Sequence, residues 1–313
     1  MPLHGDASST VKFTVDEAVL LCTGWVDRVA TTHHIRALAI KGHVLDTQGL
    51  RDPSNPIDVD ILVDPSGYEA MLAALAAFGW RTESSTVAVR KVSSSDKHSA
   101  TLFHEEWPIS LDVHRYFPGF LGNPQDVFEA LWERRVTARV ATVDVRAIDP
   151  VGHAALQALH LGRTPREAAT HAAMTDLVNR TRRVLGDAGL NELSVLATAV
   201  GADESLAAFL TRVGAPEPTS SNVPARAHRQ WQLRTEAPPQ IRWLNHIGQL
   251  RVREWPLGLW HALMLTNDEI DAYHREAGQS RASARWQRIR RAAVGIPAAL
   301  ALLRQRQRGS SPR

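Results

Sequence analysis

Apolar and polar positions alternate along this chain in a way that separates strands from helices. Residues 14 to 31, "TVDEAVLLCTGWVDRVAT", read as a helix, with Thr14 as N-cap and Glu17 three residues on as its capping-box partner. The apolar "ALAI" at 37 to 40 predicts a strand that must turn at Lys41 and Gly42. After the polar "TQGLRDPSNP", the run "IDVDILV" predicts a second strand. In "GYEAMLAALAAFGW", Tyr68, Met71, Leu72, Leu75 and Phe78 recur at helical spacing, with Asp64 or Ser66 as cap and Gly79 as terminator. "TVAVRKV", "SATLFHEE" and "WPISLDVHRYF" read as successive strands, and "VFEALWERRVTARV" with "VDVRAI" closes the unit near Asp149.

The texture changes at Pro150 to Ala- and Leu-rich helices: "VGHAALQALHLG", "TPREAATHAAMTDLVNRTRRVLGDAG" and "NELSVLATAVGADESLAAFLTRVG". The expected class is α+β, a small mixed-sheet domain followed by a mostly helical region. The expected divisions are 1–149 for the α/β unit, 150–213 for a helical domain, 214–240 for a Pro-rich linker or long loop without periodicity, and 241–313 for C-terminal helices with an arginine-rich tail.

Composition narrows the class. With 44% hydrophobic residues in 313, the chain can bury a real core. Its single cysteine, Cys22, lies in an apolar run and suits burial in a reducing compartment. The N-terminal stretch has no basic region followed by an apolar one, so no secretory signal is expected, and "AAVGIPAALALL" is too short to span a bilayer; the expected location is cytoplasmic. Net charge is only +3, but ten arginines and one acidic residue, Glu276, fall between Arg275 and Arg313. Such a tail either attracts RNA and other acidic partners or forms a solvated end.

The chemistry concentrates where aspartates interrupt apolar runs. Residues two apart on a strand share a face, so Asp58 and Asp60 point together while Val59 points away. Parallel carboxylates repel unless a cation lies between them, and oxygen-only ligands favour Mg²⁺ or Mn²⁺. Asp112 in "SLDVHR" supplies a third carboxylate if its strand lies beside the first. Three carboxylates beside a glycine turn suit phosphoryl or nucleotidyl transfer. At Gly42 a side chain would hold backbone amides away from phosphate oxygens, while Lys41, His43 and Arg51 offer charge or donors to a triphosphate.

The order "AIKGH", "RDPSNPIDVDILV", "SLDVHR" resembles the polymerase-beta-like nucleotidyltransferase superfamily, and more narrowly its branch of uncharacterised nucleotidyltransferases, over about residues 35 to 118. The resemblance implies that Gly42 belongs to the nucleotide-binding turn, that Asp58 and Asp60 are the principal metal ligands, and that Asp112 helps activate the attacking hydroxyl. It also implies an NTP co-substrate, expected to be ATP. His43 departs from the Gly-Ser or Gly-Gly of many members, where a serine would bind phosphate directly.

Other residues have simpler readings. His114 shares the face of Asp112 and either orients a carboxylate or bonds to backbone, Glu105 and Glu106 suit an exposed hairpin end, and His153, His160 and His171 read as packing or surface residues. Trp231, Trp243, Trp255 and Trp260 lie in an arginine-rich region but read as core. The functional expectation is metal-dependent transfer of a nucleoside monophosphate to the hydroxyl of a small molecule or natural-product intermediate. The alternatives are an RNA or protein acceptor, or a binding module that keeps the fold without catalysis.

Overall fold

The computed structural model describes residues 13–82, 98–163 and 168–236. "TVAVRKV", the residues beyond Glu236 and the arginine-rich tail, with Trp243, Trp255 and Trp260, lie outside the described residues. Two compact units divide the chain, Met1–His228 and Arg229–Arg313, so the change of texture at Pro150 falls inside the first.

Helix α1 (Val15–Thr32) starts where its capping residues require it. The Thr14 side chain accepts from the Glu17 amide at 3.3 Å, and the Glu17 carboxylate accepts from the Thr14 amide at 2.8 Å. Strand β1 (Ala37–Ile40) leads into a short helix, α2 (Gly42–Thr47), where the sequence called only for a turn. Then come β2 (Asp58–Val63) and α3 (Tyr68–Ala77).

The expected cap of α3 is corrected: Gly67 holds the N-cap without a side-chain bond. Asp64 instead accepts from the Ser66 amide and hydroxyl at 2.9 and 2.8 Å, closing the turn before the helix, and forms an ion pair with Arg36. Gly79, at φ +90°, does end the helix.

Three short strands follow, β3 (Arg81–Thr82), β4 (Ser99–Phe103) and β5 (Ser110–His114), with Glu105 and Glu106 exposed in the turn between the last two. Helix α4 (Pro124–Glu133) precedes β6 (Val136–Val140) and β7 (Val143–Ala147). Helices α5 (Pro150–Gly162), α6 (Ala168–Ala199) and α7 (Ala207–Val213) complete the first unit's helical part. Gly186, at φ 56° and ψ −173°, kinks α6, so the break falls there and not after Gly189 as the pattern suggested. Residues 225–236, within the stretch expected as a linker, form α8 (Ala225–Glu236).

The seven strands form one mixed sheet in the order β3-β4-β5-β2-β1-β7-β6. Pairs β2·β5 and β1·β7 are parallel and the others antiparallel. Alternation divides the two faces. Val59, Ile61 and Val63 of β2 and Leu111 and Val113 of β5 pack with Val19, Cys22 and Val26 of α1 and Met71 and Leu75 of α3. The intervening residues, Asp58, Asp60 and Leu62 with Asp112 and His114, therefore share the opposite face. Each fully buried Leu or Val in the first set contributes about 1.5–3 kcal/mol, which holds this division of faces in register. Burial pushes the Cys22 thiol up to about 12, so this side chain packs and does not react.

Candidate active site

Parallel pairing of β2 with β5 sets Asp60 directly opposite Asp112, Asp58 opposite Ser110, and Leu62 opposite His114. This register brings two of the three expected aspartates, Asp60 and Asp112, side by side, with His114 as the third member of the group. Ligand atoms of Asp60, Asp112 and His114 lie within 4.8 Å of one another, while Asp58 stands half-buried at the start of β2.

Asp60 is 6% exposed, and a carboxylate so placed needs compensation. Its Oδ1 accepts from Lys41 Nζ at 2.7 Å and lies 2.8 Å from His114 Nε2. Burial is the largest single influence and acts to raise the Asp60 pKa, but the His114 bond and the Lys41 charge outweigh it and hold the carboxyl below its ordinary value. Asp58 has no such partners. Burial pushes its pKa up, the negative charge of Asp60 adds to this, Lys41 opposes it, and Asp112 adds again.

The donor set fits a divalent cation. Asp112 Oδ1 is buried without a hydrogen-bond partner, which is costly unless something positive faces it. Asp58, raised first by burial and then by the charge of Asp60, is a further carboxyl that a cation would keep ionised.

The turn after β1 is distorted where it meets this cluster. Lys41 adopts φ 57° and ψ −145°, and Gly42 follows at φ 49°. A Cβ placed on Gly42 would meet no atom within 4 Å, so its outer side is open to a ligand.

The other members of the expected nucleotide-binding set are each held by protein partners. Arg51 does not reach toward the carboxylates: its Nε donates to Asp46 Oδ1 at 2.7 Å and an Nη to the Gly42 carbonyl at 3.1 Å, bracing α2. Asp46 also accepts from the Ser54 amide and hydroxyl, which ties down the long loop between α2 and β2. His43 faces Asp16 of α1 at 3.1 Å and Asp46 at 4.0 Å. Lys41 is committed to Asp60, with its Nζ also 5.7 Å from the Phe117 ring centre.

The sequence reading missed the place at this site of two residues of α5, His153 and His160, and of Arg163 just beyond it. His153 is fully buried and accepts from the Lys41 amide at 2.9 Å, so the packing role expected for it is incomplete. Arg163 lies 5.1 Å from the centre of the same Phe117 ring and donates to His160 Nδ1 at 2.8 Å. Burial, then the charges of Lys41 and Arg163, push His160 down to about 4. The sequence hint was there in the seven-residue spacing of His153 and His160 on one helix face. His171 is exposed, as expected.

A mixed sheet that lines up strand carboxylates beside a glycine turn is an arrangement that nucleotidyl transfer can use. The chain belongs to the family described as uncharacterised nucleotidyltransferase, whose model matches residues 23–213. No curated protein matches it. Solved structures with detectable likeness include the lincosamide antibiotic adenylyltransferase LnuA with lincomycin bound, at 15% identity, TM-score 0.32, and coverage of 49% of this chain and 92% of that one. An antigenic nucleotidyltransferase-like protein from Paracoccidioides brasiliensis is 13% identical, with TM-score 0.40 and coverage of 64% and 94%. The antibiotic-resistance factor ANT(2'')-Ia is 13% identical, with TM-score 0.37 and coverage of 63% and 93%. Likenesses this distant carry no argument about substrate. Among the described residues, no helix is long and apolar enough to cross a membrane.

Proposed function

We propose that this nucleotidyltransferase moves a nucleoside monophosphate from an NTP, ATP in the first instance, to the hydroxyl of a small molecule in a metal-dependent reaction. The observation that carries the reading is the register of β2 and β5, which sets Asp60 and Asp112 side by side with an unpartnered oxygen on Asp112.

Asp58, Asp60 and Asp112 would hold Mg²⁺ or Mn²⁺, which would neutralise phosphate charge and make the acceptor hydroxyl more acidic. The chain's own groups account for the rest. Lys41 and His114 keep Asp60 ionised. Asp112 takes the acceptor's proton as its oxygen bonds to the alpha phosphorus and the bond from phosphorus to the pyrophosphate oxygen breaks. The open side of Gly42 lets backbone amides approach the phosphates. Arg163, held over the same Phe117 ring that Lys41 approaches, would offer positive charge to the leaving pyrophosphate.

The test incubates the full chain with alpha-labelled NTPs, Mg²⁺ or Mn²⁺, and small-molecule, RNA and protein fractions. Label should pass to the small-molecule fraction, and Asp112→Asn should lower transfer by about 10²–10⁴-fold. Label entering RNA or protein would replace the acceptor assigned here. No transfer together with no metal-dependent NTP binding would overturn the reading.

A further inference from the structure

We infer that His153 is a positioning residue for the nucleotide-binding turn, acting on the Lys41 backbone through a relay that ends at Ile148. Its consequence for nucleotide rests on the function proposed above; the relay itself rests on hydrogen bonds alone.

Lys41 adopts φ 57° and ψ −145°, a conformation residues with a side chain rarely take and keep only when their surroundings enforce it. The enforcing contact comes from 112 positions away, where His153 Nε2 accepts the Lys41 N–H at 2.9 Å. Since Nε2 accepts, the ring proton sits on Nδ1, which donates to Gln48 Oε1 at 2.6 Å. That orients the Gln48 amide so that its Nε2 donates to the Ile148 carbonyl at 2.9 Å. Ile148 directly precedes Asp149, the N-cap of α5, so the relay returns to the base of the helix that carries His153.

Burial, then the charge of Arg51, push His153 down to about 3, so the ring stays neutral and keeps Nε2 as an acceptor. An apolar residue here would pack as well but leave the Lys41 amide buried without a partner. The relay therefore fixes the backbone that directs Lys41 Nζ onto Asp60 at 2.7 Å and turns Gly42 outward.

The test compares the full-length protein with His153→Phe, which keeps the ring volume and loses the acceptor, and His153→Gln, whose carboxamide oxygen can accept the same N–H. Hydrogen exchange of the Lys41–Gly42 segment is read against that of β5, and the Kd for Mg·ATP is measured on the same samples. His153→Phe should speed exchange of the turn about a hundredfold with β5 unchanged, and raise the Kd about tenfold. His153→Gln should return both to within about threefold of the parent. If His153→Phe does not fold, Gln48→Leu takes its place with the same expectations. Unchanged exchange at the turn, equal acceleration of turn and β5, or no recovery with glutamine would each overturn the inference. If the parent binds no nucleotide, the proposed function falls, while the exchange comparison still decides the relay.

Discussion

Acid should weaken this fold through His153, and His153→Gln should remove that part of the loss. The ring is fully buried and its pKa lies at about 3 against 6.5 for an exposed imidazole, with burial the main cause and the Arg51 charge second. Because the folded value is the lower one, the unfolded chain takes up the proton first as pH falls. The stability due to the neutral ring is therefore complete above about pH 6.5 and is lost progressively toward pH 3. Each pH unit in that window costs about 1.4 kcal/mol, so moving from pH 7 to 4.5 costs about 3 kcal/mol through this group. His160, at about 4, adds a loss of the same sign in both proteins. Urea unfolding of the full chain at pH 7 and pH 4.5, followed by circular dichroism, reads the difference. The parent should lose about 3 kcal/mol more than His153→Gln over this interval. Losses that agree within about 0.5 kcal/mol would show that the ring protonates in the folded state and that the burial argument is wrong.

Three further outcomes follow from the same geometry. Lys41→Met takes one of two partners from the buried Asp60 carboxylate and should cost about 3 kcal/mol in urea unfolding at pH 7; an unchanged midpoint would mean that His114 alone suffices. Gly42→Ala should cost only about 1–2 kcal/mol, since the strain of φ 49° is not joined by any clash, yet nucleotide binding should fall by a far larger factor because the methyl occupies the open side of the turn. Equal ATP affinity in parent and alanine variant would contradict that placement. Cys22 should react with a thiol reagent only at urea concentrations that unfold the protein, and rapid labelling in buffer would show that α1 does not stay docked on the sheet.

Parts of the site were legible because strand alternation has a short, fixed period. Asp58, Asp60 and Asp112 each interrupt an apolar run, and the period of two places them on one face once β2 and β5 are known to be neighbours. The capping box of α1 was readable for a similar reason, since its partners are three residues apart. Lys41, His43 and Arg51 were legible as polar groups near the turn in sequence, but their partners were not readable. Arg51 braces Asp46, His43 faces α1, and Lys41 is held between Asp60 and His153. Residues 225–236 form α8 although "ARAHRQWQLRTE" offers only Ala225, Ala227, Trp231 and Leu233 to announce a buried face.

What the amino-acid sequence determined by itself is local: which runs bury, which faces of the strands carry carboxylates, and where α1 begins. These follow from side-chain periodicity and from the cost of burying charge, both of which act over a few residues. Only the tertiary structure decided which strand lies beside β2, that Lys41 and His114 share the Asp60 oxygen, and that α5 reaches back 112 positions to hold the Lys41 amide. Those contacts join segments far apart in the chain, and their strength depends on distance and burial that exist only after the sheet has assembled.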